Sequence, residues 1–260
     1  GNDLSKLKGK ELRKARKSFQ MIFQDPYGSL NPRMSIFSAI DEVLHLHTDF
    51  DKSQRVDRVA ELLDMVGLES DVMHRYPHQF SSGQQQRIAI ARALVTSPDL
   101  LIADEAVSAL DVSVQAQILQ LIQTLQKEQG ISLLFISHDL AVVRQIASEV
   151  AIMYRGQLLE HSAADIFFNQ PAHPYSRSLL EFASEPVSTY TSGRKWHLDN
   201  GNSAGGNTSG CIFARNCVDK MPACEQIEPL TSLIHHSDQD TLLPHCVKCH
   251  LYEQTNTNET

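Results

Sequence analysis

Residues 79–94 read Gln-Phe-Ser-Ser-Gly-Gln-Gln-Gln-Arg-Ile-Ala-Ile-Ala-Arg-Ala-Leu, and residues 99–105 read Asp-Leu-Leu-Ile-Ala-Asp-Glu. The first stretch predicts a short turn at Gly83 that feeds an amphipathic helix. The free amide groups and the positive dipole end of such a helix attract an anion. The second stretch predicts a buried strand that ends in the carboxylates of Asp104 and Glu105. In a parallel α/β sheet, this position presents a metal ligand and a general base to a bound phosphate.

Two further predicted strands also end in polar side chains. Residues 19–24 (Phe-Gln-Met-Ile-Phe-Gln) predict a short strand that delivers Gln24 into a turn, and residues 133–138 (Leu-Leu-Phe-Ile-Ser-His) predict a buried strand followed by His138. A single histidine after a strand is more often a satisfied loop residue than a catalyst. We interpret His138 as functional because it occurs together with the other elements in a consistent order.

The order and spacing of these elements resemble those of ABC-type ATPases, and the match is specific because the secondary-structure context agrees. Each element has a counterpart in that family: residues 79–94 resemble the signature motif, residues 99–105 the Walker B strand, residues 19–28 the Q-loop, residues 108–111 (Ser-Ala-Leu-Asp) the D-loop, and His138 the switch histidine. The resemblance implies an ABC-type P-loop NTPase fold of the α/β class. It has a mostly parallel sheet and a helical subdomain over about residues 25–97.

The resemblance also implies a mechanism. Two such subunits meet head to tail, so that each ATP lies between the phosphate loop of one chain and the signature motif of the other. Glu105 would polarise the attacking water, Asp104 would hold Mg²⁺ through water, and Gln24 and His138 would complete the shell. The other implied nucleotide contacts are Ser81, Ser82, Gly83, Gln84 and Asp111.

The sequence departs from the family pattern in two ways. No Gly-x-x-x-x-Gly-Lys-Ser/Thr loop occurs in the 260 residues, although this loop cradles the phosphates. We therefore expect an N-terminally truncated ATP-binding subunit. The second departure consists of two substitutions within the motifs. Ser82 replaces a usual glycine and would bring a Cβ to the phosphate surface. Ala106-Val107 replaces a usual Pro-Thr. Neither change removes a charged catalytic group, so we expect impaired but real function.

Two segments point to one branch of the family. The segment around His173-Pro174-Tyr175 resembles the C-terminal extension of oligopeptide, dipeptide and nickel importer ATPases, and residues 24–34 resemble the Q-loop variant of that branch. The resemblance implies two membrane permease subunits as partners and, indirectly, an extracytoplasmic solute-binding protein. It places the protein peripherally at the cytoplasmic face of the bacterial cell membrane. An importer for nickel or another small solute stays an alternative to a peptide importer.

Composition restricts the other functions. The formal net charge of −8 argues against nucleic acid as a partner, since such proteins usually show a basic face. No apolar stretch reaches the length of a membrane span. A non-transport ABC ATPase of translation or DNA repair would not need the His-Pro-Tyr extension. A non-catalytic truncated subunit that retains only its interaction surfaces is the remaining alternative.

Periodicity and composition predict the domain organisation. Strand and helix alternate after residue 100, with a helix over residues 112–129 that ends at Gly130 and a strand over residues 150–154. This alternation is typical of a parallel sheet. The predicted parts are a partial ATPase domain (1–162), a helical His-Pro-Tyr extension (163–185), a linker rich in Ser, Thr, Gly and Asn (186–210), a cysteine-rich module (211–253) and a disordered tail (254–260).

All five cysteines lie in the predicted cysteine-rich module. In a cytosol-facing ATPase structural disulfides are rare, so metal binding and free thiols are the alternatives. The spacing is wider than that of typical zinc modules, whereas it resembles that of peptide-importer ATPases thought to hold an iron–sulfur cluster. The resemblance therefore implies a [4Fe-4S] cluster, with zinc and free thiols left open. The implied ligands are Cys211, Cys217, Cys224 and Cys249, and Cys246 lies outside the pattern.

Overall fold

The computed structural model describes residues 3–184, 209–236 and 243–256. These residues belong to two compact units, Gly1–His138 and Asp139–Thr260. Within the described ranges, no helix is both long enough and apolar enough to cross a lipid bilayer.

The first unit alternates between strands and helices. Its elements in chain order are α1 (Gly9–Ala15), β1 (Phe19–Ile22), α2 (Pro26–Ser29), α3 (Ile36–His47), α4 (Lys52–Met65), α5 (Ser82–Ala93), β2 (Leu100–Asp104), α6 (Val112–Gln129) and β3 (Ser132–Ile136). Single 3-10 turns lie at Leu4–Lys6, Ser70–His74, Pro77–Gln79 and Leu94–Thr96. Between β1 and β2 the described elements are all helical, as the prediction of a helical segment over about residues 25–97 requires.

Local sequence explains where these helices begin and end. α4 starts with a capping box in which the Asp51 side chain accepts the Gln54 amide while the Gln54 side chain accepts the Asp51 amide. Such reciprocal caps satisfy helix-end donors that have no intrahelical partner. α6 ends at Gly130, whose backbone is left-handed with φ of 66°, a conformation that glycine adopts without steric cost. The predicted end of this helix is therefore confirmed.

The three strands of this unit form a parallel sheet in the order β1-β2-β3. The register aligns Ile22 with Ala103, and Asp104 with Ile136. The carboxyl ends of all three strands therefore meet at one edge. One face of the sheet is buried, with Leu101 at 2% exposure, whereas Leu134 on the other face is 50% exposed.

The core of the helical segment explains why α3, α4 and α5 pack together. Each helix presents an apolar stripe to the others, as expected for amphipathic helices. The fully buried members of these stripes are Ile36, Ile40, Leu44, Val59, Leu62, Leu63, Ile88 and Ile90. The start of α5 belongs to this packed segment.

The second unit contains α7 (Leu140–Ile146), β4 (Glu149–Tyr154), β5 (Gln157–Ala163), α8 (Ala164–Asn169), α9 (Pro174–Ser184), α10 (Ala223–Gln226), β6 (Thr231–Ile234), β7 (His245–Lys248) and a 3-10 helix, His250–Asn256. Its strands form an antiparallel sheet in the order β4-β5-β7-β6. The strand predicted over residues 150–154 is confirmed as β4. The sequence did not predict β6 or β7, because both are strands of only four residues and β7 pairs with β5, which lies far back along the chain.

The structure divides the chain elsewhere than the predicted domains do. β5 crosses the predicted boundary at residue 162 and pairs with β7 from the predicted cysteine-rich module. Strand pairing at Glu160 and His161 therefore joins the end of the predicted ATPase domain and the predicted cysteine-rich module in the same unit. Of the predicted linker, residues 186–208 lie outside the described residues. In the predicted disordered tail, residues 254–256 end the last 3-10 helix, and residues 257–260 lie outside the described ranges.

Candidate functional site

The carboxyl edge of the parallel sheet brings the three predicted catalytic side chains together. Gln24 follows β1, Glu105 follows β2 and His138 follows β3. The Gln24 Nε2 group donates to Glu105 Oε2 over 2.6 Å, and His138 Nδ1 lies 2.9 Å from Glu105 Oε1. Both carboxylate oxygens of Glu105 are thus in hydrogen-bond contact with a predicted partner. This arrangement fits a general base with two orienting groups.

Glu105 itself has an unusual backbone. Its φ is +48°, in the left-handed region that non-glycine residues rarely adopt, at a cost of about 1–2 kcal/mol. Its amide donates to the Ile136 carbonyl over 2.9 Å, and its carbonyl accepts the Ser108 hydroxyl over 2.9 Å. These bonds hold the turn that aims the carboxylate at the edge of the sheet. Strain of this kind is concentrated at functional sites.

The residues after Glu105 explain how the sequence tolerates the departure from Pro-Thr. Ala106 and Val107 are buried, with 2% and 3% exposure. Small apolar side chains suit that environment, because a hydroxyl there would need a partner. The turn ends with Ser108 hydrogen-bonded back to Glu105, and Asp111 is the exposed N-cap residue of α6. Asp104 ends β2 and is half-buried.

The predicted signature segment forms the start of α5. Ser81 is its N-cap, and a capping box joins Ser81 to Gln84: the Ser81 side chain accepts the Gln84 amide, and the Gln84 side chain accepts the Ser81 amide. Ser81, Ser82 and Gln84 are exposed. The first amides of a helix point outward from its N-terminus and have no intrahelical partner, so donors are present at this end of α5.

Gly83 has a packing role that the sequence did not reveal. It is buried, and a Cβ added to it would lie 2.5 Å from Val114 Cγ1 on α6. The absence of a side chain therefore lets α5 and α6 approach closely. Ser82, which stands where the family usually has glycine, is exposed. Its side chain therefore lies in solvent in this chain.

We expect Gly83→Ala to destabilise the first unit by about 1–2 kcal/mol, because the new methyl group overpacks the contact with the stiff Val114 side chain. Chemical denaturation followed by circular dichroism measures this loss. The double variant Gly83→Ala/Val114→Ala should recover most of it relative to Val114→Ala alone. Equal losses in both backgrounds would show that Val114 is not the obstacle.

The cysteines predicted as metal ligands lie near one another in the second unit. Cys211 and Cys224 belong to one buried cluster, and Cys217 packs against it. Burial raises the pKa of Cys217 to about 12, with contributions from the thiols of Cys249 and Cys211. Burial likewise raises the pKa of Cys249 to about 11, with contributions from Cys211 and Cys224. Cys249 and Cys211 are thus each within electrostatic range of the other thiols of the predicted ligand set.

Nearness alone does not make these thiols a metal centre. Among the described residues, no group of three or more His, Cys, Asp or Glu side chains has an arrangement that could hold a metal ion. All five cysteines are free thiols. Cys246 lies on β7, opposite His161 of β5, and does not belong to the buried cluster of Cys211 and Cys224.

A buried polar cluster in the second unit was missed by the sequence analysis. Glu160 on β5 is 1% exposed. It accepts the amides of Ala172 and His173, each over 2.8 Å, and lies 2.9 Å from His245 Nε2. Burial alone would raise the pKa of Glu160, but the bonds from His245 and these amides outweigh it and lower the pKa. The available signal was a glutamate in the middle of the short β5 strand, directly after Leu158 and Leu159.

Sequence comparisons identify relatives of the whole chain. The sequence model described as ABC transporter matches residues 1–108. The one described as oligopeptide/dipeptide transporter, C-terminal region, matches residues 159–224. A putative oligopeptide transport ATP-binding protein of Bacillus subtilis is 41% identical over 100% of this chain and 78% of its own length. An oligopeptide transport ATP-binding protein of Salmonella typhimurium is 45% identical over 88% of this chain and 70% of its own.

Solved structures agree on the fold. A dimeric ATP-binding cassette in a post-hydrolysis state, bound to ADP and phosphate, is 30% identical with a TM-score of 0.54, over 61% of this chain and 68% of that one. A part of the ABC transporter complex cbiONQ from Clostridium perfringens is 28% identical with a TM-score of 0.56, over 63% of this chain and 64% of that one.

Proposed function

Since this chain belongs to the oligopeptide-transport branch of the ABC transporter ATP-binding proteins, we propose that it is the ATP-hydrolysing subunit that energises peptide import across the bacterial cell membrane. The relatives named above are oligopeptide transport ATP-binding proteins. The observation that carries the proposal is the contact of Gln24 and His138 with the two oxygens of Glu105.

The geometry at the sheet edge accounts for the chemistry. Glu105 takes a proton from the attacking water, while Gln24 and His138 hold its carboxylate in position. The Asp104 carboxylate and the Gln24 amide oxygen are the hard oxygen ligands that Mg²⁺ prefers, so the donor set fits this ion. Bound Mg²⁺ would neutralise charge that develops on the phosphates. Ser81, Ser82, Gly83 and Gln84 would serve the nucleotide of a second ATPase subunit, and Asp111 would lie beside them.

The proposed assembly is a head-to-tail pair of ATPase subunits with two membrane permease subunits at the cytoplasmic face. An extracytoplasmic solute-binding protein delivers the peptide. The dimeric cassette structure and the importer relatives support the pairing with a second ATPase. Nickel or another small solute is the alternative cargo, and a non-catalytic subunit is the alternative role.

We expect residues 25–34 to contact a permease subunit. Tyr27 is 51% exposed, and it lies in α2 directly after Gln24, so a partner bound here would reach the catalytic edge. A cysteine placed at Tyr27 should crosslink to a permease subunit in the assembled complex, whereas one placed at Glu128, on the exposed end of α6, should not. An active complex that gives no crosslink at Tyr27 would overturn the proposed docking.

The cysteine module is proposed to hold an iron–sulfur cluster. Four thiols suit such a cluster in chemistry, and the electrostatic proximity of Cys211, Cys217, Cys224 and Cys249 supports the ligand set. The thiols must shift to converge, since the described residues contain no preformed metal-binding group. A bound cluster would stabilise the thiolate form that burial disfavours.

Anaerobically purified protein is expected to be brown and to contain about four iron and four sulfide ions per chain. Cys217→Ser should remove the colour, because it removes a ligand. Cys246→Ser, which changes a cysteine outside the cluster, should keep it. Metal analysis that finds stoichiometric zinc, or no metal at all, would contradict the iron–sulfur proposal.

A further inference from the structure

The short helix α2, which follows Gln24, is held together by local contacts. Asp25 is the N-cap of α2, and its Oδ1 atom accepts the Tyr27 amide over 3.0 Å. A Cβ added to Gly28 would lie 2.6 Å from Asp25 Oδ2, so the carboxyl group lies directly against the glycine backbone. These contacts make α2 a compact body that continues the chain from Gln24.

The C-terminal end of α2 is held by a side chain from a distant part of the sequence. Arg92 on α5 donates from Nη1 to the Ser29 carbonyl over 2.8 Å, across 63 positions of the chain. The last carbonyl groups of a helix have no partner within the helix, and an arginine side chain can satisfy them. Hydrogen bonds from charged donors are among the stronger ones in proteins. The Arg92–Ser29 bond therefore attaches α2 to α5.

Both sides of this bond rest on the core of the first unit. Ala91 and Ala93, the neighbours of Arg92 on α5, are 0% and 4% exposed. Leu30, which directly follows Ser29, is 2% exposed. Arg92 itself is half-buried, and a hydrogen bond shielded from water is stronger than an exposed one. The attachment of α2 is therefore fixed by packing as well as by charge.

The position of Gln24 depends on this attachment. Gln24 Nε2 donates to Glu105 Oε2 over 2.6 Å, yet Gln24 is an exposed residue. Packing around the side chain therefore does not hold it in place, and its position must come from the backbone. Only the N-cap and the body of α2 separate Gln24 from the carbonyl that Arg92 binds. Displacements of about 1 Å in a catalytic group can cost about 10²-fold in rate.

We propose that Arg92 is a positioning residue for the catalytic edge. By holding the end of α2 against α5, it keeps Gln24 in contact with Glu105. The same bond joins Tyr27, where we expect a permease subunit to dock, to the helix that begins at Ser81. The inference rests on the proposed function, because that function gives Gln24 and Glu105 their catalytic roles.

Hydrogen exchange and NMR of the full 260-residue chain test this role without ATP turnover. Arg92→Met keeps an apolar stem and removes the donors. The amides of Ser29 and Leu30, which donate to carbonyls at the start of α2, should then exchange about 10-fold faster. The side-chain amide resonance of Gln24 should move toward its position in Glu105→Ala, in which the acceptor is absent.

Two further variants separate positioning from general loosening of the helical segment. Arg92→Lys retains a charged donor for the Ser29 carbonyl and should restore most of both signals. Arg87→Met changes an arginine of the same helix, whose Nη1 atom donates to the Val66 carbonyl over 2.6 Å instead of to α2. This matched control should leave the Gln24 resonance unchanged. If Arg92→Met does not fold, Arg92→Gln, whose shorter side chain does not reach the carbonyl, replaces it.

The outcomes distinguish the positioning role from the catalytic site. Faster exchange in α2 with an unchanged Gln24 resonance would overturn the role of Arg92 and leave the catalytic contact intact. An equal shift in Arg87→Met would likewise overturn it, since any loosening of α5 would then have the same effect. A wild-type resonance that already equals that of Glu105→Ala would contradict the catalytic contact itself, and the role of Arg92 with it.

Discussion

Glu105→Gln is expected to lower steady-state ATP hydrolysis by about 10²–10⁴-fold in a chain that carries a phosphate loop. Glutamine keeps the size of the side chain but cannot accept the proton of the attacking water. It also places an amide donor against Gln24 or His138, which the carboxylate now contacts. Phosphate release by a version with a Gly-x-x-x-x-Gly-Lys-Ser/Thr segment joined in front of residue 1 measures the effect.

The matched control is Glu128→Gln, which makes the same change at an exposed position near the end of α6 and should keep full turnover. The 260-residue chain without the added loop should release no phosphate when purified alone, because its sequence has no loop to hold the β- and γ-phosphates. Turnover that survives Glu105→Gln, or robust release from the chain alone, would contradict the proposed catalytic site.

The largest expected effect on stability is that of Glu160→Gln, at about 3 kcal/mol for the second unit. The new amide group must face a donor at Ala172, His173 or His245, all of which now point at the carboxylate. The free energy of opening, measured by hydrogen exchange of β5 and β7 amides, reports this loss.

The matched control for this prediction is Glu149→Gln on the neighbouring strand. Glu149 pairs with His161 over 3.0 Å, but its side chain is 44% exposed, and exposed pairs contribute at most about 1 kcal/mol. Because the folded-state pKa of Glu160 is lowered, its stabilisation is present at neutral pH and lost as the pH falls through that pKa. Equal effects of the two substitutions would refute the role of Glu160.

The meeting of Gln24, Glu105 and His138 at one edge of the sheet could be predicted from the sequence because its determinants are local. Gln24, Glu105 and His138 each follow an apolar strand directly, and parallel strands bring their carboxyl ends together. The left-handed backbone of Glu105 was not predicted, since glycine is the residue that usually adopts this conformation. The packing role of Gly83 was missed because the glycine was assigned to phosphate alone, whereas its tight neighbour, Val114, belongs to another helix.

The second unit was harder to predict because its organisation depends on distant pairs. Glu160 and His245 are 85 positions apart, and no local periodicity links them. The ring of Phe213, a residue beyond the predicted linker, likewise packs against the rings of Tyr154, and of His173 and Tyr175 in the His-Pro-Tyr motif. The motif could be recognised in the sequence, but its neighbour could be found only in three dimensions.

The pairing of β5 with β7 also has a consequence for synthesis on the ribosome. With His245 placed 85 residues after Glu160, translation needs about 4–17 s to supply the strand that completes this edge. During that interval the nascent hairpin of β4 and β5 exposes unpaired backbone groups along β5, with which strands of other nascent chains can pair. The His-Pro-Tyr segment emerges early in the delay, and the amides of Ala172 and His173 can donate hydrogen bonds to Glu160 before the final strand arrives.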